Sequence, residues 1–133
     1  MADLPSVNIE EIKNFKRISE SDADTSVFML NLNRYSDEAG YPEGTLYKEY
    51  MGILGKLLLE VGGKVLWRTN VQGQVVGNQK IDEALGIWYP SHKSFMQLMS
   101  APSSKENMRL RELAVAHADL HKCEDYTQKS IKE

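Results

Sequence analysis

The amino-acid sequence predicts a small α+β domain of order βαββαβ, preceded by an amphipathic helical arm. Two segments carry that expectation. Gly62-Gly63-Lys64-Val65-Leu66-Trp67-Arg68 joins a helix stop to a strand, and Trp88-Tyr89-Pro90-Ser91-His92-Lys93-Ser94-Phe95-Met96 joins a strand to a helix start. A third observation concerns the sheet. Val27 to Leu32 is apolar on both alternating faces except at Asn31, so a strand here is buried above and below.

The arm comes first. Asn8 or Ser6 can cap a short helix in which Ile9, Ile12, Phe15 and Ile18 form a narrow apolar stripe, with Glu11 as capping-box partner of Asn8. Ser19 to Asp24 has turn chemistry and no apolar period, so it reads as a linker. Residues 1–24 are thus arm and linker, 25–126 the domain, and 127–133 a tail.

After the first strand and the Gly40 to Gly44 turn region, Leu46, Tyr47, Tyr50, Ile53, Leu54, Leu57, Leu58 and Val61 recur at three and four, the period of a helix. Val65 to Val71 alternates as a strand, with a bent or bulged continuation through Val75-Val76-Gly77. Asp82 to Tyr89 places Ala84, Gly86 and Trp88 on one face and Leu85, Ile87 and Tyr89 on the other. Phe95, Leu98 and Met99 begin a helical layer that Pro102 interrupts, and Met108 to Val115 resume it. Ala118 to Asp125 is the last strand, charged enough to lie at an edge.

A chain of 133 residues makes one ordinary domain. Sixteen basic against nineteen acidic side chains, dispersed along the chain, give no footprint for gripping a phosphate backbone, so nucleic acid is not an expected partner. Cys123 is the single cysteine, which suits a reducing compartment. The opening Met1-Ala2-Asp3 carries no basic cluster before an apolar run, and no stretch reaches bilayer length, so a cytoplasmic protein without membrane contact is expected.

A four-stranded sheet with helices on one side leaves its other side uncovered. Because the first and third strands look apolar on both faces, pairing of two identical chains, sheet against sheet, is the expected cover. The expectation is a homodimer that closes a barrel.

Val27 to Asn33, Tyr47-Lys48-Glu49-Tyr50, Gly62 to Trp67, Tyr89-Pro90-Ser91 with Phe95 and Met99, and Arg111 together resemble the domain-of-unknown-function 1330 family of the dimeric α+β barrel superfamily. The resemblance spans Val27 to Glu124. It implies a ferredoxin-like protomer, dimeric, with a cavity between sheet and helices, and it carries no assigned activity. Superfamily relatives include cofactor-independent oxygenases, lactone isomerases and haem enzymes, so the fold alone chooses no chemistry.

Individual residues narrow the choice. Asn31 in an apolar strand can hold a ligand carbonyl or hydroxyl, or can be a buried amide tied to backbone. Tyr47 and Tyr50 share one side of a helix and can point into the space above the sheet; Trp67 and Trp88 can wall a cavity or simply fill core. Arg111, amid Leu110, Leu113 and Ala114, must find an anion, a carbonyl or a solvent channel, which makes it a candidate anchor for a carboxylate or enolate, with a structural ion pair as the competing role. His92, just after the Ser91 cap, is the best acid/base candidate in the chain, because a helix N-terminus disfavours its protonated form.

His117, His121 and Cys123 invite a metal reading, but a helix end and a strand do not place them on one face. No HExxH, CxxC pair, phosphate loop or nucleophile elbow is present, and neither metal nor cofactor is expected. Two functions survive. One is a small cofactor-independent enzyme, oxygenase- or isomerase-like, with Asn31, Tyr50 and Arg111 orienting a hydrophobic, oxygen-rich molecule and His92 moving a proton. The alternative is a non-catalytic dimeric module that binds a small ligand.

Overall fold

The computed structural model describes residues 7–125. Ser6 and the tail expected at 127–133 lie outside them. Helix α1 (Ile9–Ser19) is followed by strand β1 (Val27–Tyr35), helix α2 (Thr45–Val61), strands β2 (Lys64–Asn70) and β3 (Glu83–Tyr89), the short helix α3 (His92–Met96), helix α4 (Ser104–Ala114) and strand β4 (Val115–Cys123). The four strands are antiparallel in the order β2-β3-β1-β4, with β1 and β3 inside and β2 and β4 at the edges. Both crossovers place their helices on one side of the sheet, so the fold is α+β and ferredoxin-like.

Local chemistry explains the boundaries. Asn8 is the N-cap of α1, although its side chain makes no capping bond. Helix α2 ends where Gly62 takes φ +82°, a left-handed geometry that a Cβ would oppose. Ser91 caps α3 by accepting from the Ser94 N–H at 2.9 Å.

The face of the sheet beneath the helices carries Val27, Met29, Leu85, Ile87 and Tyr89, which pack with Leu58 and Val61 of α2. Phe15 of α1 joins the same core. Its ring lies 4.8 Å from both His92 and Phe95, so the arm is folded down onto α3. A second core gathers Tyr35, Tyr47, Tyr50, Leu110, Ala114, Val115 and Ala118.

Three expectations are corrected. The register of β2 slips between Val65 and Trp67, so these two residues point to opposite faces, where simple alternation put them together. Val75 and Val76 are exposed in a loop and form no strand, because nothing among the described residues packs against them. Helix α4 stops at Ala114, and Val115 already opens β4, three residues before the expected start at Ala118.

The opposite face of the sheet carries Phe28, Leu30 and Leu32 of β1, Trp67 of β2, and Ala84, Gly86 and Trp88 of β3. Among the described residues no helix covers it, and α1 lies on the other side, although Phe28 on this face is itself buried. The Trp67 indole sits over Gly86, where an added Cβ would come within 2.5 Å of that ring and 2.6 Å of Phe28. Glycine is what lets the two aromatic rings close over the backbone.

Candidate functional site

Between α1 and the sheet lies a half-open cavity of about 370 Å³. Its floor is the helix-side face of β1 and β4 at Met29, Ala118 and Leu120; Ile12 and Phe15 of the arm form its roof, and Phe95 and Arg111 close it from α3 and α4. The position of Arg111 follows from its helix: Leu110 and Ala114 turn into the core beside it, so its side chain must leave along the rim of that buried stripe.

Arg111 lies beside buried Tyr50, where its positive charge partly offsets the effect of burial on that phenol. No carboxylate among the described residues lies within ion-pair distance of it. Two residues earlier, Arg109 shows the alternative, with a bidentate pair to Glu106 at 2.8 and 2.7 Å. Asn31 shares the face that forms the floor and pairs in register with Leu120. Its Oδ1 is buried without a hydrogen-bond partner among the described residues. A guanidinium without a carboxylate partner among the described residues, above an apolar floor, is the chemistry of a site for a polar-headed apolar molecule; Asn31 lies on the same sheet face but does not line the cavity.

The remaining candidates lie elsewhere. Trp67 and Trp88 belong to the uncovered face of the sheet, away from this cavity. The Trp88 indole N–H donates to Asp125 at 2.9 Å. His92 is 4% exposed and does not line the cavity. Its Nδ1 lies 2.9 Å from the Thr25 carbonyl and 3.1 Å from Asp24 Oδ1, and a carbonyl only accepts, so Nδ1 carries the proton and Nε2 is left buried without a partner among the described residues. Asp24 also accepts from the backbone N–H groups of His92 and Lys93. Ring and carboxylate together pin the linker of the arm to the start of α3.

Tyr47 points into a second, more polar pit of about 590 Å³ between α2 and the β2–β3 ladder. At its base Glu83, 3% exposed, accepts from the Tyr35 hydroxyl at 2.6 Å and the Tyr47 hydroxyl at 3.0 Å, with Arg68 Nε at 3.9 Å. Asn33 donates to the Tyr35 oxygen, and Tyr41 stacks on Tyr35. Sequence reasoning passed over this cluster. The signal was present, since extending the Leu85, Ile87, Tyr89 face back by two residues lands a carboxylate on an apolar face.

Burial, with help from the Glu83 charge, pushes the phenols of Tyr35 and Tyr47 well above the ordinary tyrosine value; burial does the same for Tyr50 and Tyr89. A raised value means that the folded state keeps protons the unfolded chain has released. Stability from these four groups is therefore complete below about pH 10 and falls as pH rises through their folded values. An alkaline titration should show phenolate absorbance appearing together with loss of circular dichroism. Phenolate formed at these four positions near pH 10 in a still-folded chain would contradict this account.

No protein-family model matches the chain, and no match is found among curated proteins. Among solved structures, a protein of unknown function from Rhodopseudomonas palustris is 25% identical, with a TM-score of 0.71 over 89% of this chain and 93% of its own. A methylated form of that protein gives 0.72 over 90% and 92%, also at 25% identity. A dimeric ferredoxin-like protein of unknown function from Thermobifida fusca is 11% identical, with a TM-score of 0.51 over 74% of this chain and 90% of its own, a likeness of fold alone.

Proposed function

We propose that this chain is a homodimeric, small-molecule-binding α+β barrel protein of the domain-of-unknown-function 1330 type, working in a reducing compartment such as the cytoplasm. The observation that carries the reading is Arg111 at the wall of an apolar cavity without a carboxylate partner among the described residues. A half-buried cation without a counter-charge costs stability unless something binds it. Tyr50 lies beside the guanidinium.

The dimeric state rests on the uncovered face. Leu30, Leu32, Trp67 and Trp88, none of them fully buried, form an apolar surface that a twin chain can bury, and one solved structure of this fold is described as dimeric. An enzymatic form of the same reading has Arg111 holding an enolate or carboxylate while His92 takes a proton. The unpartnered Nε2 of His92 favours it, and Phe15, which packs on that ring and lines the cavity, would have to move first.

Thermal melting against small polar-headed apolar compounds tests ligand binding. A ligand at about a hundred times its Kd should add about 2.7 kcal/mol of stability, and Arg111→Met should remove most of that gain. A screen in which no compound shifts the wild-type melt sinks the reading. Turnover in a lactone or quinol panel that survives His92→Gln removes this histidine from any chemistry.

A further inference from the structure

Resting on the cavity as a ligand site, we propose that its guest is a small amphipathic monoanion, a carboxylic acid with an apolar body, and that helix α1 sets how large that body can be. Three observations converge on this class. The lining from Ile12, Phe15, Met29, Phe95 and Leu120 is hydrocarbon and aromatic, so the body of the guest is apolar. Arg111 presents a planar fork of N–H donors, a geometry that a carboxylate meets with two parallel bonds. Lys122 adds a second cation at the lip, with its Nζ 5.1 Å from the centre of the Phe15 ring.

The acidic residues along the same lining do not neutralise the site. Asp119 directs its carboxylate to His117, at 3.2 Å, and Glu11 is exposed at the mouth. A volume of about 370 Å³ lies near the lower end for ligand pockets, which fits a guest on the order of ten non-hydrogen atoms.

The arm belongs to this site. Glu11, Ile12 and Phe15 on one stripe of α1, with Val7 and Asn8 just before it, make the roof; without them the sheet would carry only an open trough. The helix has eleven residues and leans chiefly on α3, and such a short helix depends on its packing for stability. The Asp24 and His92 pin fixes its far end, and so fixes the height of the roof.

Calorimetric titration of the full chain with 3-phenylpropanoate and its uncharged partner 3-phenylpropanamide tests the charge. The acid should bind at least about tenfold more tightly than the amide, and Arg111→Gln should bring the two together by weakening the acid far more than the amide. Ile12→Trp, at a half-exposed helix position, should weaken both by at least about tenfold with native circular dichroism. Ile12→Ala should instead shift preference from hexanoate toward decanoate.

Equal binding of acid and amide to the wild type overturns the anionic class and leaves the cavity a ligand site. Failure of both to bind overturns the class and the cavity reading together. Unchanged affinities and unchanged chain-length preference in both Ile12 variants overturn the role of the arm.

Discussion

Trp67→Glu is expected to convert the proposed homodimer to monomer in sedimentation velocity, with circular dichroism unchanged. Trp67 is 38% exposed on the uncovered face of the sheet, with its ring centroid 6.2 Å from that of Phe28. A sheet-to-sheet dimer of ordinary size buries about 1,600 Å² and places this indole among Leu30, Leu32 and Trp88, in the part of an interface where a single aromatic residue contributes 2 kcal/mol or more. A carboxylate in its place would be desolvated without a partner, so dimerisation should weaken by at least about a hundredfold. The fold should survive, because the side chain contributes to neither core beneath the helices. Wild-type monomer at micromolar concentration, or a variant that still sediments as a dimer, would end the proposal of a homodimer.

Glu83→Ala should cost about 2–4 kcal/mol in urea denaturation, the largest loss expected from any single polar residue of the chain. Its carboxylate is the acceptor for the hydroxyls of Tyr35 and Tyr47, both buried, and removing it strands two donors away from water. Arg68 contributes little to this figure, since it is half-exposed and 3.9 Å away. Glu83→Gln retains one acceptor oxygen and should lose roughly 1 kcal/mol. A Glu83→Ala variant within about 0.5 kcal/mol of wild type would show that water reaches the two hydroxyls.

Most of the architecture was legible wherever hydrophobic period and backbone punctuation agreed. Helix α2 is the clearest case, with an apolar repeat from Leu46 to Val61 and Gly62 as its stop. Strands β1 and β3 were legible as two-faced strands, because Val27 to Leu32, apart from Asn31, and Ala84 to Tyr89 are apolar on both alternating faces. Strand β2 was misread at Trp67, since a bulge depends on the neighbouring ladder and leaves no mark in a lone strand's pattern. Val75 and Val76 misled for a related reason: β-branched residues favour extended backbone, yet here they have no partner strand.

The site was legible in part. Arg111 stood out as a cation on a buried helix face, and the structure sets it beside Tyr50, also singled out. The arm looked separate, because its linker is polar and the contact from Phe15 to Phe95 joins residues eighty positions apart, a distance over which local patterns say nothing. Glu83 escaped notice because its partners, Tyr35 and Tyr47, reach it from two other elements. A buried carboxylate can be suspected from one strand, whereas its hydroxyl donors cannot.

The placement of the two indoles gives the chain a built-in optical reporter. Trp88 is held by Asp125, while Trp67 sits against Gly86 and keeps 38% of its surface exposed to water. Docking of a second sheet would dry that open side and leave Trp88 bonded as before. Emission from Trp67 should then shift to the blue on dilution-reversible assembly, and quenching by iodide should fall in step, so association can be followed in the unlabelled protein.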